Sequence, residues 1–140
     1  MPSSITKGFR QLLAEASAKI QTRSVEEARR YLDNLEALFV DIRDVRELAR
    51  DGMIPGAFHA PRGMLEFWVD PESPYFKPIL NTEKQLILYC QSGWRSALAT
   101  ATLVDIGLKN VSHIEGGFTA WKEAGGPSME AKNTHAGKAS

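Results

Sequence analysis

Cys90, the only cysteine in the chain, is followed by Gln91-Ser92-Gly93-Trp94-Arg95-Ser96, and this grouping points to thiolate chemistry. The thiolate is the nucleophilic form of cysteine, and it is favoured where backbone N–H groups and a cation face the sulfur. Gly93 permits a backbone conformation that other residues resist, so a tight ring of amides can close after Cys90. Arg95 supplies the cation. The competing reading is a small buried hydrophobe, the usual fate of a free cysteine. The polar run after Cys90 weighs against it, because no packing need calls for Arg95 and Ser96 there. Ser96 itself reads as a helix cap rather than a catalytic hydroxyl.

The elements on either side must carry this ring. Leu86-Ile87-Leu88-Tyr89 is the clearest strand in the chain, and residues 95–106 form a helix with Ala97, Ala101 and Val104 on one stripe, closed by Gly107. Ligands of open α/β sheets bind at the carboxyl ends of strands, so this junction places Cys90 at the mouth of the sheet, open to solvent. The unpaired N–H groups and positive dipole end of the helix, together with the curled loop, make an anion-binding concavity. Amides that favour a thiolate also favour a terminal persulfide anion. The expected roles are Cys90 as nucleophile, the backbone of residues 91–95 as cradle, and Arg95 as electrostatic partner of an incoming anion.

The rest of the chain alternates in the same way. Phe9, Leu12, Leu13, Ala16 and Ile20 predict a helix over residues 7–21. Ser24 and Glu27 form a capping box for a second helix with Ala28, Tyr31, Leu32 and Leu35 on its inner face. Leu38-Phe39-Val40 reads as a buried strand, and Asp44 with Glu47 caps a short helix that Gly52 ends. A brief strand over 57–60, a helix over 62–69 and a proline-rich loop over 70–78 follow. Val111 to Ile114 is a strand, Gly116-Gly117 a turn, and 118–124 the last helix. Alternating strands and helices predict a three-layer α/β domain, a parallel sheet flanked by helices on both faces. We divide the chain into an appended N-terminal helix (1–22), one domain (23–127) and a flexible polar tail (128–140).

Lys plus Arg equals Asp plus Glu at 17 each, so no basic face advertises nucleic acid or an anionic membrane surface. No run approaches the roughly 20 apolar residues of a membrane span, and the N-terminus lacks a signal-peptide pattern. A cytoplasmic location is expected. One cysteine excludes an internal disulfide framework, and His59, His113 and His135 show no ligand spacing, so no metal is expected.

Four segments, in this order and spacing, resemble the rhodanese-like sulfurtransferases: Phe39-Val40-Asp41-Ile42-Arg43, Gly52-Met53-Ile54-Pro55-Gly56-Ala57, the loop from Leu88 to Ser96, and Gly116-Gly117-Phe118-Thr119-Ala120-Trp121. The resemblance covers roughly residues 23–127 and implies a persulfide on Cys90. The sulfur would come from a small donor such as thiosulfate and pass to a thiol or cyanide acceptor without a cofactor. Glutathione, a thioredoxin-like protein or a cofactor-biosynthesis partner are further acceptors. Gln91, Ser92, Gly93, Trp94 and Ser96 are expected at the substrate, with Arg62 reaching its anionic part. Asp41 and Arg43 read as a structural pair, because buried charges are usually paired. Arg43 also adds positive potential to the pocket. His59 reads as a satisfied strand-end residue, and Trp68 and Trp121 as core. Trp94 either walls the pocket or packs back onto the helix. Met53 departs from the family's common histidine.

Three other functions compete. Phosphatases and arsenate reductases of similar fold place five residues between Cys and Arg, whereas Cys90 and Arg95 have four, a ring better suited to one sulfur atom. A non-catalytic regulatory or binding module is the second, although such modules commonly lack the cysteine. A redox sensor is the third, and it needs an external resolving thiol. Monomer and homodimer both remain open, since the apolar stripe of the N-terminal helix suits either its own domain or a second copy.

Overall fold

The apolar runs of the sequence pair side by side. The computed structural model describes residues 4–131 and contains five strands: β1 (Gln21–Arg23), β2 (Ala37–Asp41), β3 (Phe58–His59), β4 (Gln85–Tyr89) and β5 (Val111–Ile114). They form one parallel sheet in the order β1-β5-β4-β2-β3, which makes β4 the central strand. Six α-helices are described: α1 (Phe9–Lys19), α2 (Val25–Arg29), α3 (Val45–Asp51), α4 (Leu65–Val69), α5 (Trp94–Ile106) and α6 (Gly117–Glu123). This is the expected three-layer α/β architecture.

Side chains of a strand point alternately to the two faces of the sheet, and β4 shows how that builds two cores. Leu86 and Leu88 pack with Val40, Leu65, Ala99 and Leu103, under α4 and α5. Ile87 and Tyr89 pack with Phe39, Phe118 and Trp121, on the side of α2 and α6. The two capping boxes form as read. Ser24 Oγ accepts from the Glu27 N–H at 3.1 Å while Glu27 accepts from the Ser24 N–H at 2.9 Å. Asp44 and Glu47 do the same for α3, and Gly52, at φ 84°, ends it.

Four features differ from the sequence reading. β1 was not expected: it is short and polar, and it exists only because Gln21–Arg23 pair with Ser112–Ile114. The sheet therefore begins inside the segment assigned to an appended helix. Leu35 is exposed instead of facing inward, because α2 stops at Arg29 and its helical period ends there. In α1 the expected apolar stripe is only partly covered. Ala16 is buried and Lys19 pairs with Asp105 of α5 at 3.2 Å, while Phe9 and Leu12 stay exposed. The segment read as a flexible tail starts with ordered contacts. Met129 pairs with Met53 as an antiparallel bridge, and Ala131 is buried against Leu48 and Met53. The remainder of that segment, 132–140 with His135, lies outside the described residues. Among the described residues no helix is long and apolar enough to cross a membrane.

Candidate active site

Cys90 follows the last residue of β4 and keeps the strand's alternation, so its side chain lies on the same face as Leu86 and Leu88. That parity sends the sulfur beneath the start of α5 rather than outward. Cys90 is only 1% exposed, so the expectation of a solvent-open sulfur at the mouth of the sheet is not met. The expectation that the backbone of residues 91–95 cradles the sulfur is met only in part, because one donor comes from that stretch and the other from Ser96. The Gly93 N–H donates to Cys90 Sγ at 3.1 Å and the Ser96 N–H at 3.4 Å. Gly93 sits at φ 103°, in the left-handed region that a glycine enters without the Cβ penalty, and this turns its amide inward. Buried and cradled are both true of this sulfur.

Helix α6 holds the loop from the other side. The Phe118 N–H donates to the Cys90 carbonyl at 2.8 Å and the Thr119 N–H to the Gln91 carbonyl at 3.0 Å. The contact is close because Gly117 has no side chain. A Cβ there would lie 2.5 Å from the Cys90 carbonyl oxygen and 2.7 Å from the Gln91 carbonyl carbon. Gly117 also sits at φ 63°. Gly117→Ala is therefore expected to destabilise the fold by about 2–4 kcal/mol, from left-handed strain plus overpacking against backbone. It should also slow any reaction at Cys90, because the Cys90–Gln91 peptide must move. Urea denaturation of the variant measures the first effect, and a cost under about 0.5 kcal/mol would show that the loop is not held this way.

The expected site residues divide into those near the sulfur and those engaged elsewhere. Gly93 and Ser96 are buried against it. Ser92 is exposed on the loop. Trp94 is 59% exposed and its ring packs at a tilt of 38° against Phe9 of α1, with centroids 5.1 Å apart. It also lines a cleft with Leu13, Ala97 and His113, so it lies between the loop and α1. Gln91 turns its side chain away from the sulfur. Its Oε1 accepts from Arg43 Nη1 and its Nε2 donates to Thr119, both at 3.0 Å.

Arg62 does not reach the loop. Its guanidinium bonds Glu66 at 3.1 Å and Thr102 at 3.5 Å, and Thr102 lies roughly 12 Å along α5 from its first residue. A neighbouring carboxylate one helical turn away captured the cation. Arg95 is near the sulfur but is not free. Glu47 of α3 grips it with two bonds of 2.8 and 2.9 Å. The Arg95 pair holds the Glu47 carboxyl below the usual carboxylate range, and Glu47 is the main reason that Arg95's charge is favoured, with Cys90 a smaller one. The sequence marked Glu47 only as a capping residue, and nothing local announced a partner 48 positions later.

Asp41 and Arg43 form the structural pair that was expected. Both side chains are fully buried, with Arg43 Nη2 2.6 Å from Asp41 Oδ2 and Nε 3.0 Å from Oδ1. Burial works against the Arg43 cation, but the Asp41 carboxylate overrides it and keeps the guanidinium charged. Arg43 also donates to the Gly52 carbonyl at 2.7 Å and lies over the Phe118 ring. His59 Nε2 donates to the Arg43 carbonyl at 2.7 Å, a satisfied strand-end residue.

A parallel sheet whose central strand delivers a cysteine into a ring of amides at a helix start defines a class of α/β proteins, and the comparisons agree on which. A model of the Rhodanese-like domain matches residues 24–124, and the chain belongs to that family. A sulfurtransferase of Allochromatium vinosum is 33% identical over 100 residues, covering 71% of this chain and 85% of that protein. The Homo sapiens thiosulfate:glutathione sulfurtransferase is 32% identical over 108 residues, covering 73% of this chain and 93% of that one. A solved structure from Rhodopseudomonas palustris, described as a protein of unknown function and possible tyrosine phosphatase, is 51% identical. Its TM-score is 0.89, covering 92% of this chain and 99% of that one.

Proposed function

We propose that this protein is a sulfurtransferase that carries sulfane sulfur as a persulfide on Cys90. The observation behind this reading is the convergence of the Gly93 and Ser96 N–H groups on Cys90 Sγ. Donors placed there favour negative charge on sulfur in both the resting and the loaded state. With thiosulfate as donor, the Cys90 thiolate attacks the outer sulfur, the sulfur–sulfur bond breaks, and sulfite leaves with the bonding electron pair. An acceptor thiolate then attacks the terminal sulfur of the persulfide and regenerates the Cys90 thiolate, while cyanide as acceptor would leave as thiocyanate. Because Cys90 is buried, the ring of residues 91–95 must part to admit the donor, and Ser92 and Trp94 are its exposed members. The relatives that are sulfurtransferases support the same reading.

The test is direct. Incubation with thiosulfate should add about 32 Da, one sulfur atom, to the intact protein, and a thiol or cyanide should remove it. A protein that gains no such mass from any sulfane donor is not a persulfide carrier. A phosphatase reading is less well supported, because the Cys90–Arg95 ring is one residue short and Glu47 occupies Arg95. Turnover of a phenyl phosphate ester would reverse that judgement.

Arg95 is proposed as the charge that draws in an anionic donor, with Glu47 as its brake. Glu47→Gln keeps the capping group, since glutamine also fits that position, but frees the guanidinium. It is expected to raise the loading rate from thiosulfate by about threefold at low ionic strength, and Arg95→Ala to lower it similarly. Both effects should shrink in high salt. Loading rates that ignore both substitutions would remove this pair from the mechanism.

A further inference from the structure

We propose that His113 is a positioning residue for Cys90: through Ser96 it passes the thiol proton to solvent and then turns the Ser96 hydroxyl toward the sulfur anion. This inference rests on reading Cys90 as the nucleophile.

Four side chains form one hydrogen-bonded line. Cys90 Sγ lies 3.5 Å from Ser96 Oγ, Ser96 Oγ 2.9 Å from His113 Nδ1, and His113 Nε2 3.3 Å from Thr22 Oγ1. The fold explains the alignment. Val111 of β5 packs in the same core layer as Leu86, Leu88 and Cys90, and alternation puts His113 on that face too. Leu88 pairs with His113 across the sheet, and His113 pairs with Thr22 of β1. Ser96 comes down from the first turn of α5. Cys90, Ser96 and His113 are all buried, at 1%, 0% and 4% exposure, while Thr22 is exposed. Thr22 and His113 both line a cleft of about 580 Å³ with Ser17 and Glu115. The line therefore runs from a sulfur sealed from water to a side chain that meets it.

Each member can both give and take a proton. In the thiol state the S–H donates to Ser96 Oγ, the Ser96 O–H to Nδ1, and Nε2–H to Thr22 Oγ1. Ionisation shifts every proton one place: the thiol proton to Ser96 Oγ, the Ser96 proton to Nδ1, the Nε2 proton to Thr22, and the Thr22 proton to water in the cleft. The electron pair stays on sulfur, one proton leaves the protein, and the imidazole is neutral at both ends with its tautomer exchanged. The sulfur anion then receives the Ser96 O–H beside the Gly93 and Ser96 amides. The Gly93 carbonyl, 3.4 Å from Ser96 Oγ, is the hydroxyl's other acceptor, and a full negative charge on sulfur outcompetes it. Burial lowers His113 to about 4, so it is neutral at ordinary pH and serves by changing tautomer instead of storing the proton.

The charged groups around this line are few. Arg95 of α5 is gripped by Glu47 of α3, Arg23 of β1 bonds Ser112, and Glu115 lines the cleft. The Asp41–Arg43 pair at the end of β2 reaches the loop through Gln91, and α1 presents Leu13 and Ser17. None of these substitutes for the imidazole between Ser96 and Thr22.

The experiment uses the full chain as wild type, His113→Phe, His113→Asn and Ser96→Ala. Two rates are followed by mass from near neutral to strongly alkaline pH: alkylation of Cys90 by iodoacetamide, and sulfur loading from thiosulfate. Near neutral pH both rates should fall about tenfold in His113→Phe and Ser96→Ala, the worth of one charge-assisted hydrogen bond. At strongly alkaline pH the difference in alkylation should shrink to about twofold, because hydroxide then supplies the base that the relay otherwise provides. His113→Asn, which retains a donor for Ser96 but no second ring nitrogen, should fall between. A loss equal at every pH marks a merely structural histidine and overturns the proposal, as do unchanged rates. If His113→Phe does not fold, Ser96→Ala carries the same test within a side chain of similar size. If the variants show this alkylation profile but wild type gains no sulfur, the persulfide reading fails and the relay stands.

Discussion

Cys90→Ser is expected to remain folded and to gain no mass from thiosulfate, a fall in loading rate of at least about a thousandfold. The chain has one cysteine, so no other thiol can take over as carrier. Serine nearly matches cysteine in size, and its oxygen would find the Gly93 and Ser96 amides already aimed at it. The stability change should therefore stay near about 1 kcal/mol. Nucleophilicity is another matter. A hydroxyl ionises far less readily than a thiol, and His113, the nearest base, is neutral, buried and one serine removed. Intact mass after incubation with thiosulfate, alongside urea denaturation, separates the two properties. Sulfur uptake that persists in this variant would place the carrier somewhere other than Cys90.

The second large effect concerns stability. Asp41→Asn and Arg43→Met should each cost about 3–5 kcal/mol, because either one strands a buried polar partner. That is a large share of the roughly 5–15 kcal/mol that holds such a domain together. Arg43 is the costlier of the two. Besides Asp41 it bonds Gln91 and the Gly52 carbonyl, which ties the end of β2 to the loop after Cys90 and to the end of α3. The double substitution Asp41→Leu with Arg43→Met should recover part of the loss, since a buried pair exchanged for apolar side chains is often near neutral. It should not recover all of it, because Gly52 and Gln91 remain without their donor. Chemical denaturation of wild type, Asp41→Leu, Arg43→Met and the double variant provides the cycle, with Asp41→Asn beside it. Single substitutions that each cost under about 1 kcal/mol would mean the pair is dispensable.

The elements were legible because their signals are local. The Ser24/Glu27 and Asp44/Glu47 boxes, the apolar run before Cys90 and the glycines at helix ends all act within a few residues of themselves. β1 was illegible for the opposite reason: Gln21-Thr22-Arg23 carries no apolar pattern and becomes a strand only when β5 lies beside it. The fate of each charge was similarly hidden. Arg62 and Arg95 are equivalent in sequence as free cations, yet Glu66 holds one and Glu47 the other. Gly117 read as a turn residue, and its close approach to the Cys90 carbonyl depends on how α6 docks.

Residue order alone determined that a lone cysteine stands at a strand-to-helix junction, followed by a glycine able to turn an amide back on it. Hydrophobic alternation and backbone chemistry are enough for that, since both operate over neighbouring positions. Tertiary structure decided the rest. Strand order brought Thr22, Leu88 and His113 side by side from three distant segments, and side-chain parity then buried Cys90 under Ser96 instead of exposing it. Such contacts join residues through space, and their energies arise only once the sheet has closed.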